Sequence, residues 1–189
     1  MAAKQKGVYQ NFSIQELIDC DKYNKGCICG RVQSAFKYLT KKHLSLTTDS
    51  AYPLNDVREK AKCKREKIIK VVKVDSYKHA QYIGNEKQML SLLYNVGPLA
   101  VDVNAHIWQF YLGGVITHNC RSEGRLLTHA VQIVGYNVSK EEPNLPYFIV
   151  RNSWGKEWGE QGYAKVKIGG NVCGIARNVN YVNVSFVNK

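Results

Sequence analysis

No apolar run in this sequence approaches the ~18 residues that a membrane-spanning helix requires, so no such helix is expected. The opening Met1–Gly7 carries charge with no apolar stretch behind it and does not read as a signal peptide. Internal repeats and low-complexity segments are absent. The cysteines form no zinc-like pair of CxxC pairs, and His118 and Cys120 are poorly placed to add ligands, so neither metal nor cofactor is expected. Acidic side chains are scarce, 15 against 27 basic ones, which leaves a formal charge of +12. Much of that charge lies in Lys60, Lys62, Lys64, Arg65, Lys67, Lys70 and Lys73. The cluster lacks interleaved aromatics and any nucleic-acid motif. It therefore reads as a solvated loop running into a strand, and no nucleic-acid or membrane partner is expected. Its field still favours anionic substrates or surfaces.

What is present suits a soluble globular protein: 189 residues, enough for one domain or two small ones, with 44% hydrophobic and 22% charged side chains. Six cysteines point to disulfides and an oxidising compartment. Three glycosylation acceptor patterns, at Asn11, Asn137 and Asn183, add weak support for a secretory route.

Ser13-Ile-Gln-Glu16 is a capping box with Phe12 and Leu17 at the staple positions, which predicts a short helix from Ile14 to about Cys20. A second helix is predicted from about Arg31 to Lys42, with Val32, Ala35, Phe36 and Leu39 on one face. Ile68–Val74 reads as a strand. Asn85 is expected to cap a helix over Glu86–Tyr94 that buries Met89, Leu90, Leu93 and Val96. Beyond Gly97-Pro98 the pattern turns to strands, clearest at Leu99–Val103, Ala130–Tyr136, Tyr147–Asn152 and Tyr163–Ile168. The class is α+β: a helical half over 1–77, then a mostly antiparallel half over 78–189.

Thr128-His-Ala-Val131 and Arg151-Asn-Ser-Trp-Gly155 carry the chemistry. A histidine and an asparagine on neighbouring strands supply the orienting half of a thiol-protease site. Together with Phe12–Cys20, Gly26-Cys27, Gly97-Pro98, Trp108–Gly114, Trp158–Tyr163 and Asn171–Ala176, these pieces resemble, in order, the papain-like cysteine proteases. The resemblance implies a two-domain fold, a helical left domain and an antiparallel, barrel-like right domain, with the active site in the cleft between. It implies hydrolysis of peptide bonds in a lysosome or outside the cell, with peptides, proteins or a protease inhibitor as partners. It makes His129 the general base, Asn152 the group that orients its imidazole, and Trp154 a shield over their hydrogen bond. It places Cys29, Gly30, Arg31, Val32, Asp102, Leu127 and Asn178 along a substrate pocket, more polar than usual, and implies bridges Cys20–Cys63 and Cys120–Cys173.

One part of the family pattern does not occur: a Cys-Gly-Ser-Cys-Trp type motif for the nucleophile, with an oxyanion-hole glutamine before it. Both should precede the region matched by Gln10–Ser13, so an N-terminally truncated protease with no activity of its own is expected. The family's long central helix also has no counterpart before Asn11, so the right half is expected to be the better formed. By the same resemblance Cys27 has its partner upstream, and Cys29 stands where the family has glycine. Cys29 could act as a surrogate nucleophile, but it starts no helix and has no oxyanion partner; a reactive, non-catalytic thiol is the expectation. A Cys27–Cys29 bridge would be strained. The alternative class is a catalytically dead relative that binds peptides or a protein partner through the same cleft.

Overall fold

The computed structural model describes residues 4, 7, 9–41, 44–55, 60–64, 71–118, 120–123, 126–139 and 145–187. Two compact units emerge: His79–Tyr181 is one, and Met1–Lys78 with Val182–Lys189 is the other.

In the second of these, helix α1 (Ile14–Cys20) starts where its capping box directs. Ser13 Oγ accepts the Glu16 amide at 2.9 Å and donates to the Tyr52 carbonyl at 2.6 Å. The helix turns its polar side inward. Gln15, Glu16 and Asp19 are buried while Ile14 is exposed. The reason is that the surrounding loops carry backbone N–H groups in need of acceptors. Glu16 takes the backbone amide of Thr47, and Asp19 takes that of Ala61, the side-chain amide of Gln15 and the Tyr52 hydroxyl. Burial, reinforced by Asp19, raises the Tyr52 pKa. A disulfide joins Cys20 to Cys63. Helix α2 (Val32–Lys41) buries Tyr38 and Leu39, and Phe36 is half-buried. Strand β1 (Ser45–Leu46) pairs antiparallel with β2 (Val72–Ala80). The predicted strand thus extends further than Val74, while residues 68–70 lie outside the described ones. Leu39, Leu46, Val72, Val74, Val182 and Val184 form the apolar core, with the staple residues Phe12 and Leu17 against it.

The unit His79–Tyr181 holds α3 (Lys87–Asn95), β3 (Leu99–Val103), β4 (Val115–Ile116), β5 (His129–Asn137), β6 (Tyr147–Arg151), β7 (Tyr163–Lys167) and the start of β8 (Val179–Phe186). Its strand order is β8-β3-β5-β6-β7-β4, antiparallel except for the β4–β7 pair. Leu99, Val101, Val103, Ile133, Phe148, Val150 and Val166 are fully buried, as period-two alternation over β3 and β6 requires. One expectation is corrected. Asn85 is not the cap of α3: Glu86 holds that position and makes no side-chain cap bond. Its carboxylate is buried and accepts the amides of Gly169 and Asn171 at 2.6 Å each, so the helix start serves a distant turn. Strand β8 lay beyond the strands singled out in the sequence; its polar Asn180 falls on the same buried face as Val182 and Val184, and its Oδ1 accepts from His79 Nδ1 at 3.1 Å.

Glu86→Ala should leave two amides without an acceptor and cost about 2–4 kcal/mol. Tryptophan fluorescence during urea unfolding measures it, since all three tryptophans lie between residues 79 and 181.

Candidate active site

His129 is the first residue of β5, opposite Val103 of β3, and the sheet register sets Gln132 against Arg151 at the end of β6. Asn152 follows directly, its own amide held by the Gly162 carbonyl at 2.9 Å. The side chains meet: His129 Nε2 lies 2.8 Å from Asn152 Oδ1. A second donor fixes what each atom is. The Ser153 amide also donates to Asn152 Oδ1, at 2.8 Å, so this atom is the carbonyl oxygen and not the amide nitrogen. The imidazole must then carry its proton on Nε2, which leaves Nδ1 as the basic nitrogen. Asn152 is buried, and its Nδ2 has no hydrogen-bond partner among the described residues.

The Trp154 ring lies 4.9 Å from the imidazole, tilted by 30°, and is 40% exposed. Trp158 meets Trp154 edge-on at 5.3 Å, stacks on Trp108 at 6.1 Å and touches Tyr111 at 5.5 Å. Its indole N–H donates to the Trp108 carbonyl at 2.8 Å. Below this aromatic row sits a polar brace. The Tyr111 hydroxyl lies 2.7 Å from the Gly114 carbonyl and 3.2 Å from Glu160, whose other oxygen pairs with Lys165 at 2.6 Å. The Lys165 ammonium holds the Glu160 carboxyl below its ordinary range, and burial pushes the Tyr111 phenol up to about 12. The sequence reading gave Trp158 and Glu160 no role; their only signal was the Trp-Gly-Glu run itself.

The remaining expected positions fall in two places. In the same unit as His129, Asp102 Oδ2 accepts the Asn178 amide at 3.0 Å. Leu127 is half-buried against Gly174, whose φ of +78° and missing Cβ both matter, because a Cβ there would collide with the leucine. The Cys120–Cys173 bridge lies in this unit. Cys29, Gly30, Arg31 and Val32 belong to the other unit: the first three are exposed, and Asn24 holds the Arg31 backbone at both its N–H and its carbonyl. No group of three or more metal-binding side chains occurs among the described residues.

The model of the papain family cysteine proteases matches residues 1–183. The chain belongs to the papain family of cysteine proteases. It is 43% identical over 173 residues to cathepsin O of Mus musculus, covering 91% of this chain and 53% of the relative. To cathepsin O of Homo sapiens it is 39% identical over 176 residues, covering 93% and 53%. The chain thus spans about half the length of these curated relatives. Among solved structures, bromelain from Ananas comosus in complex with the E64 inhibitor superposes with a TM-score of 0.82 at 28% identity, covering 96% of this chain and 81% of that one. Procathepsin L 3 of Tenebrio molitor larval midgut gives 0.81 at 32%, covering 96% and 58%. The fold is therefore papain-like.

The brace gives this family member two pH limits. A carboxyl with a lowered folded pKa stabilises fully above its ordinary value and loses that contribution as pH falls through the folded one. A phenol with a raised pKa stabilises fully below pH 10 and loses the contribution as pH rises towards about 12. Melting temperatures of wild type and Glu160→Gln should converge at the acid end. Tyr111→Phe should flatten the alkaline fall.

Proposed function

We propose that this chain carries the base-and-orienter half of a cathepsin O-like cysteine endopeptidase, with His129 and Asn152 in those roles and Trp154 covering their bond. The observation that supports it is Asn152 Oδ1, which takes two N–H donors and so leaves His129 Nδ1 as the proton acceptor. A thiol placed at Nδ1 would give up its proton to the ring. The resulting imidazolium stabilises the thiolate, which attacks the peptide carbonyl. A neutral amide suffices as the orienting group, because the resting state is itself an ion pair. In the unit that holds His129, Asp102, Leu127 and Asn178 would belong to the substrate pocket; Asp102 engaged by Asn178 keeps it polar. Relatives that are cathepsins, and two disulfides, support a secretory-pathway, lysosomal or secreted, location.

A second reading is that this chain binds peptides without cleaving them; the 189 residues of this sequence hold no Cys-Gly-Ser-Cys-Trp run. The two separate cleanly. The 189-residue chain should neither hydrolyse peptides nor be labelled by an epoxide inhibitor. A chimaera that places a family member's nucleophile segment before Asn11 should do both. In it, His129→Ala should lower kcat by about 10²–10⁴-fold, the range for a general base. A folded, inactive chimaera would overturn the peptidase reading, and thiol-dependent turnover by the shorter chain would move the nucleophile to Cys29.

A further inference from the structure

We propose that Asn183 carries an N-linked oligosaccharide, which stands on the outer face of the sheet where β2 and β8 run side by side. The inference rests on the secretory-pathway location proposed above, because the lipid-linked sugar donor is used in that lumen. The acceptor pattern occurs three times, at Asn11, Asn137 and Asn183. The fold gives two of them another duty and leaves the third open.

At Asn11 the hydroxyl of the pattern belongs to Ser13, the cap of α1. It is 1% exposed and bonded to both the Glu16 amide and the Tyr52 carbonyl. At Asn137 the asparagine itself is committed. It is half-buried at the end of β5, its Oδ1 takes the Ser139 amide at 2.7 Å and its Nδ2 donates to the Tyr147 hydroxyl at 3.2 Å. An Asx turn closed by a second contact accounts for these residues without a glycan.

Asn183 differs. Val182 and Val184 on either side are buried with Val72 and Val74, so the alternation of β8 turns Asn183 and Ser185 to the opposite face. Asn183 is exposed. Its surroundings on that face are polar: Asn183 Nδ2 donates to Ser76 Oγ at 3.2 Å, Ser185 Oγ to Asp75 at 2.8 Å, and Lys73 lies 3.9 Å from Asp75. All of these residues belong to one unit. Both hydrogen bonds are at the surface, where water replaces them at little cost. A glycan takes one of the two Nδ2 hydrogens, so the other can still donate to Ser76. The folded strand therefore accommodates a bulky, solubilising group at this position.

The transfer balances. Asn183 Nδ2 attacks C1 of the first sugar of a lipid-linked pyrophosphate oligosaccharide. The Nδ2–C1 bond forms, the C1–O bond to pyrophosphate breaks, and the lipid pyrophosphate leaves with the electron pair. The proton lost from Nδ2 passes to solvent, and nothing is oxidised or reduced. The Ser185 hydroxyl, two residues on, is the part of the pattern by which the transferase selects its acceptor.

The full chain behind a cleavable secretory leader is expressed in eukaryotic cells, and the leader-cleaved product is collected. Leader cleavage proves entry into the lumen, so a failure at Asn183 counts against the site and not against the natural location. Transfer takes place as the chain enters, so the readout holds for a variant whether or not it folds. Trypsin cuts after Arg177, and residues 178–189 hold Asn183 and neither of the other patterns. Release by peptide-N-glycosidase in heavy-oxygen water leaves an aspartate with one heavy oxygen, which fragmentation should place at position 183. Asn183→Gln and Ser185→Ala should each abolish this mark and one glycan-sized step on electrophoresis, whereas Ser185→Thr should retain both. An unmarked 178–189 peptide, a mark at another of its asparagines, or a mark that survives Ser185→Ala would each overturn the proposal.

Discussion

Asn152 Oδ1 is where the sheet, the turn and the imidazole meet. It accepts from Ser153 one residue along the chain and from His129 across two strands, so a backbone amide decides the orientation of a side-chain amide, which in turn decides the histidine tautomer. None of this works unless the β5–β6 register is held, because a shift of one residue would turn His129 to the opposite face. The fully buried Ile133, Phe148 and Val150 on those strands hold it. The cost is visible in the same residue: Nδ2 is buried with no partner among the described residues, a penalty of about 1–3 kcal/mol borne at the centre of the site. Strain of this kind persists where the surroundings over-determine a geometry.

Carboxylates do comparable work away from the site. Glu86 gathers the turn at Gly169–Asn171, and Asp19 with Glu16 gathers the loops through Thr47 and Ala61. Long connections in a small unit carry amides that cannot join a strand or helix, and a buried anionic oxygen satisfies several at once with short, charge-assisted bonds. This explains why α1 has its polar face inward and leaves Ile14 exposed. A hydrophobicity pattern read alone would orient that helix the other way.

Legibility followed from the range of the forces involved. The start of α1 could be read because a capping box is local, confined to Ser13–Glu16. Strands β3, β5, β6 and β7 could be read because alternating burial leaves a period-two trace. The cap of α3 could not: Asn85 has the right chemistry at short range, but the competing partner of Glu86 lies 83 residues away. Strand β8 was hidden for the same reason, since its buried face begins with a polar residue, Asn180, whose partner His79 lies 101 residues away. At the site, the residue types of His129, Asn152 and Trp154 were legible as a family pattern. The second donor at Oδ1, the row through Trp158 and the Glu160 brace were not, because each is a product of register and of no local motif.

The two bridges show how position sets what a disulfide does. Cys20 and Cys173 are almost wholly buried, and each is tied to a residue more than forty positions away. Bridges over such loops restrict the unfolded chain strongly and are shielded from attacking thiolates.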